Sequence, residues 1–139
     1  MIGEAGVIKK VDHIGVAVRS IEESARIYTE GLGITLGHIE NVPQDKVRVG
    51  FLPIGESEIE LVQPTDPTST VAGFIEKRGE GVHHICLEVD NIDETINSLA
   101  EQGFALIDKQ ARPGSSGRRI AFLHPKAANG VLIELSQKP

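Results

Sequence analysis

Two of the five histidines in this 139-residue chain occupy matched positions in an internal repeat. Residues 11–25 read VDHIGVAVRSIEESA and residues 82–96 read VHHICLEVDNIDETI, with six of fifteen positions identical at an offset of 71. The match places His13 against His84. Both segments begin with β-branched residues that are typical of a strand, and each histidine shares its strand face with small residues. The repeat therefore predicts two equivalent strands that each present one imidazole to a cleft.

Each half of the chain also ends on a matched glutamate. The segments IELVQ and IELSQ align at an offset of 74, which places Glu60 against Glu134. Two imidazoles and two carboxylates suit Co, Mn, Ni, Zn or Fe better than Ca, which prefers oxygen ligands alone. If the halves pair about a pseudo-twofold axis, we expect His13, Glu60, His84 and Glu134 to bind one divalent metal ion. Four ligands leave two octahedral positions open, which indicates a catalytic rather than a structural metal.

The elements that position these side chains form the same series twice. The first half is predicted as strand Val11–Val18, a helix between Ser20 and Gly33, and strands Thr35–Glu40, Val47–Leu52 and Glu58–Gln63. The second half is predicted as a matching strand, a helix between Asn91 and Gly103, and strands Phe104–Asp108, Arg119–Leu123 and Val131–Ser136. A short helix over Thr70–Arg78 is predicted to link the halves.

The predicted fold class is therefore α+β, with two tandem βαβββ modules that pair into a metal-binding β-sheet cleft. We expect one domain over residues 1–139, with module one at about 8–64, a linker at 65–80 and module two at about 81–139. A chain of this length can bury a single core.

Composition excludes several classes of function. The net charge of −6 and the 4% aromatic content argue against a nucleic-acid partner. The longest apolar runs have four residues, whereas a membrane helix needs about 20. Residues 1–10 lack the charged and apolar regions of a signal peptide, and the single cysteine, Cys86, excludes an internal disulfide. We therefore expect a cytoplasmic protein without a membrane partner.

One segment opposes the acidic balance. Residues 109–130 contain five basic side chains and no acidic one. The loop Gly114–Gly117 within it offers hydroxyls and backbone N–H groups. This segment either attracts phosphates or a substrate carboxylate, or is a solvated basic loop.

Four stretches carry a resemblance to a known family. They are VDHI at 11–14, VHHIC at 82–86, FLHPK at 122–126 and GVLIEL at 130–135. From about Lys10 to Lys138 the sequence resembles the vicinal oxygen chelate (glyoxalase/dioxygenase-like) superfamily. Within it, the sequence is most similar to the methylmalonyl-CoA epimerase family. FLHPK followed by GVLIEL is the specific part, since the strand patterns alone indicate only the superfamily.

The resemblance implies a fold, a metal site and a reaction. The fold pairs βαβββ modules around a divalent metal, and the family's ligands fall on His13, Glu60, His84 and Glu134. The implied ion is Co²⁺, with Mn²⁺, Ni²⁺, Zn²⁺ or Mg²⁺ as alternatives. The implied reaction interconverts (R)- and (S)-methylmalonyl-CoA by removing and returning the α-proton, with Glu134 and Glu60 as catalytic groups. The partners implied are an acyl-CoA substrate and a second copy of the chain in a homodimer.

Several roles stay open at this point. Ser115, Arg118, His124 and Lys126 are candidates for binding the substrate. Some family members carry Gln at the Glu60 position and a separate Glu near the Arg48 position, so the identity of the second base is open. Arg48 would either pair with the substrate carboxylate or lie on a solvated strand face. His38 has no equivalent in the repeat, and we expect His83 and Cys86 to have packing roles.

Two other functions fit the same scaffold. A glyoxalase I (lactoylglutathione lyase) would isomerise a glutathione hemithioacetal with the same four ligands. A metal-free small-molecule-binding protein of this fold would not need them. An extradiol dioxygenase fits less well, because its site uses two histidines and one carboxylate.

Overall fold

The two βαβββ modules are present in the computed structural model, which describes residues 6–139. The first consists of strand β1 (Ile8–Ala17), helix α1 (Ile21–Ser24) and strands β2 (Ile39–Val42), β3 (Val47–Ile54) and β4 (Ser57–Pro64). Helix α2 (Thr70–Arg78) follows, as predicted. The second module consists of strand β5 (Gly81–Val89), helix α3 (Ile92–Glu101) and strands β6 (Arg112–Pro113), β7 (Arg119–Leu123) and β8 (Ile133–Gln137).

The prediction that residues 1–10 contain no signal peptide falls partly on residues 1–5, which lie outside the described residues. Among the described residues, no helix has both the length and the apolar character needed to cross a membrane.

The described chain divides into two units, and β1 passes from one into the other. The N-terminal unit is His13–His83, and the C-terminal unit combines the described residues up to Asp12 with His84–Pro139. In the N-terminal unit the strand order is β1-β4-β3-β2, with β1 and β4 parallel and the other pairs antiparallel. In the C-terminal unit the order is β5-β8-β7-β6, with β5 and β8 parallel and the other pairs antiparallel. The equal topology confirms that the sequence repeat is a structural repeat.

The sheet of the N-terminal unit has an apolar cluster on each face. On the α1 face the buried residues are Val18, Ile21, Ala25, Leu52 and Leu61. The opposite face packs against α2, and its buried residues are Ala17, Val42, Val47, Val49, Phe51, Val62, Val71 and Ile75. Burial of apolar area on both faces stabilises this unit.

The C-terminal unit has its apolar cluster under α3. Its buried members are Val89, Ile92, Ile96, Ala121 and Leu135. Helix α3 begins as predicted, because the Asn91 side chain accepts a hydrogen bond from the Glu94 N–H at 3.1 Å. The helix therefore covers one face of this sheet, and the other face carries Glu134 with Cys86 and Phe122 opposite it.

The first helix is shorter than predicted. The predicted stripe Ile21, Ala25, Tyr28 and Leu32 assumes one continuous helix, but α1 gives way to a π-helical turn over Ile27–Gly31. The Leu32 N–H bonds to the Ile27 carbonyl at 3.0 Å, which adds a residue to the turn. This change of register leaves Leu32 66% exposed.

The predicted strand Phe104–Asp108 is wrong. This segment makes only an isolated bridge, Leu106 to Leu123, and the edge strand forms later, at β6. The Asp108 carboxylate accepts the Phe122 N–H at 2.8 Å, a donor that a regular ladder would offer to a backbone carbonyl. The predicted strand Thr35–Glu40 is also displaced, since β2 begins at Ile39, four residues later than predicted, and ends at Val42.

Candidate active site

Strand register places one candidate pair on β1 and β4, the two neighbouring parallel strands of the N-terminal sheet. Glu60 on β4 lies opposite Gly15 of β1 and opposite Phe51 of β3. His13 shares a strand face with Gly15, two residues away. The His13 Nδ1 and the Glu60 Oε2 lie 3.0 Å apart, and the two side chains are 6% and 8% exposed.

The C-terminal unit repeats this arrangement. Glu134 on β8 lies opposite Cys86 of β5 and opposite Phe122 of β7. The His84 Nε2 and the Glu134 Oε1 lie 3.0 Å apart, with both side chains buried. The Phe122 ring meets the His84 ring edge-on, with the centroids 5.8 Å apart. Each predicted histidine therefore has the predicted glutamate of its own unit as a partner.

The chemistry of each pair fits a metal ligand set. A buried carboxylate without a partner is costly, and 3.0 Å is a hydrogen-bond distance between an imidazole and a carboxylate. Deprotonated carboxylate and neutral imidazole are also the donors that bind Zn, Co and related ions. All four candidate ligands are buried. Each belongs to a cluster of His, Cys, Asp or Glu side chains that could hold a metal ion. Each unit supplies two of the four predicted ligands, and their common site stays a prediction.

Two of the candidate substrate contacts lie on a tight loop of the C-terminal unit. Ser115 begins a 3₁₀ turn over Ser115–Gly117, and its carbonyl accepts the Arg118 N–H at 3.1 Å. The Arg118 guanidinium pairs with Asp12 at 2.9 Å and donates to Ser136 Oγ at 3.2 Å. Sequence reasoning identified Arg118 but missed both of its partners.

The basic segment at 109–130 is largely compensated by carboxylates from outside it. Besides the Arg118 contact, Arg112 pairs with Asp108 at 3.2 Å, and Arg119 pairs with Asp93 at 2.8 Å. The run of like charges in the sequence is therefore not a continuous cationic surface.

The other two candidate substrate contacts have a local role. The His124 Nδ1 accepts the backbone N–H of Lys126 at 3.0 Å and caps the turn Pro125–Ala128. An accepting Nδ1 carries no proton. Both side chains are exposed. Their part in substrate binding stays a prediction.

Arg48 is part of a clamp, and neither sequence interpretation of it describes this role. Its guanidinium donates to Glu22 Oε2 at 2.9 Å and to Gln63 Oε1 at 3.2 Å. The same Gln63 oxygen accepts the Ile21 N–H at 3.0 Å. The Arg48 hydrogen bond, with a smaller contribution from the backbone N–H of Glu22 itself, holds the pKa of the Glu22 carboxyl below its ordinary value. The contacts fasten the start of α1 to two strands.

The C-terminal unit contains an equivalent clamp. Arg119 donates two hydrogen bonds to Asp93, at 2.8 and 2.9 Å, and the Gln137 side chain accepts the Ile92 N–H at 2.8 Å. The hydrogen bond from Arg119 holds the pKa of Asp93 below its ordinary value. A carboxylate, an arginine and a glutamine recur at the repeat offsets of 71, 71 and 74, which is the sequence signal that identifies these residues.

His83 packs as expected, since its ring meets the Phe74 ring edge-on at 4.9 Å. The exposed His38 ring stacks on Phe51 at 4.4 Å. Cys86 is fully buried.

Comparison with known proteins identifies the family. The model of the Glyoxalase/Bleomycin resistance protein/Dioxygenase superfamily matches residues 12–122. The chain belongs to this superfamily. The predicted resemblance and the predicted fold class are thereby confirmed.

Relatives within the superfamily include proteins of assigned and unassigned function. The chain is 39% identical over 130 residues to the uncharacterized protein YqjC of Bacillus subtilis (strain 168), covering 94% of this chain and 93% of YqjC. It is 36% identical over 129 residues to the mitochondrial methylmalonyl-CoA epimerase of Bos taurus, covering 92% of this chain and 74% of that one. A solved methylmalonyl-CoA epimerase in complex with methylmalonyl-CoA and NH₄⁺ is 33% identical, has a TM-score of 0.91, and matches over 95% of this chain and 96% of that one.

Proposed function

We propose that this protein is a methylmalonyl-CoA epimerase, an isomerase that interconverts (R)- and (S)-methylmalonyl-CoA. The observation that carries the proposal is the duplicated, buried His–Glu pair. Inversion at a carbon requires an acid–base group on each face of a planar enolate, and a repeat supplies such a matched set. The epimerase relatives support the choice of an acyl-CoA substrate.

We infer that His13, Glu60, His84 and Glu134 together hold one divalent ion. Their mixed nitrogen and oxygen donors suit first-row divalent ions. The family resemblance implies Co²⁺ first, with Mn²⁺, Ni²⁺, Zn²⁺ or Mg²⁺ as alternatives. When bound, such an ion supplies Lewis-acid stabilisation of the negative charge that develops on the thioester oxygen.

The two glutamates carry the proton. In one direction Glu134 removes the α-proton from one face, and Glu60 in its acid form returns a proton to the other face. In the opposite direction the roles are exchanged. Each turnover leaves the proton on the other glutamate, so exchange with solvent resets the pair. A carboxylate that held the ion would be a weaker base, so the glutamate that removes the proton would hold the ion only weakly.

The histidines and Arg48 support this assignment in different ways. His13 and His84 lie 3.0 Å from the glutamates and so orient the carboxylate oxygens. Arg48 contacts Glu22 and Gln63, and therefore serves to hold α1 rather than to move a proton. Glu60 is left as the acid–base group of the N-terminal unit.

Deuterium exchange at the α-carbon tests the proposal. In D₂O with Co²⁺, the protein should exchange the α-proton of methylmalonyl-CoA, as measured by NMR or mass spectrometry. E134Q should stop the interconversion of the two epimers and lose exchange of the α-proton that faces position 134, even with metal restored, because an amide cannot accept the proton. E94Q provides the matched control, since Glu94 lies in the first turn of α3 and should leave exchange unchanged.

Two results would redirect the assignment. Turnover of methylglyoxal with glutathione, without exchange on methylmalonyl-CoA, would favour the glyoxalase I alternative. Absence of stoichiometric metal after purification, together with absence of exchange, would favour a metal-free binding protein. The homodimer and the cytoplasmic location stay predictions.

A further inference from the structure

The sheet faces that carry the two His–Glu pairs differ in chemistry. In the N-terminal unit, Ala17 and Val62 face each other in register and pack in the apolar cluster against α2. The equivalent positions of the C-terminal unit, at offsets of 71 and 74, are Glu88 and Ser136, which also face each other in register. All four side chains are buried. The repeat thus places two apolar residues beside the His–Glu pair of the N-terminal unit and two polar residues beside the His–Glu pair of the C-terminal unit.

Arg118 is a further position at which the two units differ in polarity. Its equivalent in the N-terminal unit is Val47, which is buried in the apolar cluster. Ser136, which accepts a hydrogen bond from Arg118, follows Glu134 by two residues and shares its strand face. Two residues along a strand span about 7 Å. The guanidinium therefore lies on the face of Glu134, one strand repeat away from it.

We propose that Arg118, held by Asp12 and Ser136, binds the free carboxylate of the substrate and makes the protein selective for acyl-CoA thioesters that carry a second carboxylate. The inference rests on the proposed function. It adds a specificity-determining cation that only one half of the repeat contains.

The exposure of the ion pair supports an anionic ligand. The Arg118 side chain is 18% exposed, whereas the Asp12 side chain is 4% exposed. The accessible part of the pair is therefore the cation, and its buried partner fixes the position of the guanidinium. A guanidinium can bind a carboxylate through two parallel hydrogen bonds, which gives both affinity and orientation. One end of the substrate would thereby be assigned to the C-terminal unit.

Binding of two acyl-CoA ligands tests the inference. Malonyl-CoA and propionyl-CoA have the same acyl chain length, but only malonyl-CoA has the free carboxylate. Calorimetry on the Co²⁺-loaded protein gives the ratio of their Kd values. Arg118→Gln should reduce the preference for malonyl-CoA by about tenfold to a hundredfold, because one charge-assisted contact is lost. Any preference that arises from metal binding is common to all variants.

Arg119→Gln is the matched control. Arg119 is the next residue, but its partner is Asp93 on α3, so the preference should not change. Arg118→Lys should keep part of the preference, and Ser136→Val, which installs the residue of the equivalent position, should weaken it. These two variants carry the test if Arg118→Gln does not fold. An unchanged preference in the Arg118 variants, or an equal fall in Arg119→Gln, would overturn the inference.

The outcome is separable from the proposed function. A wild-type protein that prefers malonyl-CoA through Arg118 but exchanges no α-proton would support this inference and overturn the epimerase proposal. Exchange on methylmalonyl-CoA, with a ligand preference independent of Arg118, would support the epimerase proposal and overturn this inference.

Discussion

Adjacent histidines on β5 have different chemistry because strand side chains alternate between faces. His84 lies 3.0 Å from a buried carboxylate, whereas His83 packs edge-on against Phe74. Both residues are imidazoles of the same strand, so their difference comes from their partners alone. This contrast provides an internal control for the metal proposal.

His84→Ala should reduce bound Co²⁺ by tenfold or more, because it removes one of the four proposed ligands. Elemental analysis after dialysis against a fixed free-metal concentration measures the occupancy. His83→Ala should retain wild-type occupancy, since its ring packs on an aromatic side chain. Thermal unfolding checks that both variants fold. Equal occupancy in the two variants would exclude His84 as a ligand.

The two clamps show how side chains fix the position of whole elements. In each unit an arginine on the third strand of the module (β3 or β7) donates to a carboxylate in the first turn of the helix. A glutamine on the last strand of the module (β4 or β8) accepts the first N–H of the same helix. The first backbone N–H of a helix has no acceptor within the helix, and here the glutamine of the neighbouring strand supplies one. The helix cannot shift along the sheet without breaking these contacts.

The clamp predicts a pH dependence of stability. The Arg48 hydrogen bond lowers the pKa of Glu22 in the folded protein relative to the ordinary value of 4.5. The unfolded chain therefore takes up a proton at higher pH than the folded chain. The resulting stabilisation is fully present above pH 4.5 and is lost as the pH falls through the lowered folded pKa.

E22Q should therefore be less stable than the wild type at pH 7, and the gap should narrow as the pH falls below 4.5. Urea unfolding at a series of pH values measures both effects. E23Q removes a neighbouring carboxylate and leaves the clamp intact, so it should keep the Glu22 contribution. A constant gap between E22Q and the wild type across this range would contradict the assignment.

The sequence predicts elements best where local signals decide them. Helix α2 has the predicted bounds because Ser69 caps its start and Gly79 follows its end. The π-helical turn after α1 and the irregular segment ending at Asp108 depend on single hydrogen bonds that no periodicity encodes. The His–Glu pairs were predictable because the repeat aligns them, whereas the Arg118–Asp12 contact joins residues far apart in the sequence without a repeat equivalent.

At the scale of the whole molecule, the continuity of β1 indicates that the chain unfolds as one cooperative domain. This strand is continuous from Ile8 to Ala17, although the division between the two units falls at Asp12 and His13. Unfolding of either unit would therefore disrupt a strand of the other. A unit of about 70 residues is also marginal by itself, since it buries a smaller fraction of its surface than a larger domain does. We therefore predict that the two units unfold together.

Matched core substitutions test this prediction. Leu61 and Leu135 are equivalent buried residues of the two closing strands, one in each unit. Truncation of either to alanine should cost about 2–5 kcal/mol, since it removes contacts and leaves a cavity. The chain has one tyrosine, Tyr28, and no tryptophan, so tyrosine fluorescence reports on the N-terminal unit alone. In urea unfolding, Leu135→Ala should shift the Tyr28 transition as much as Leu61→Ala does, and far-UV circular dichroism should follow the same curve. If Leu135→Ala leaves the urea midpoint of the Tyr28 transition unchanged, the two units unfold as separate domains.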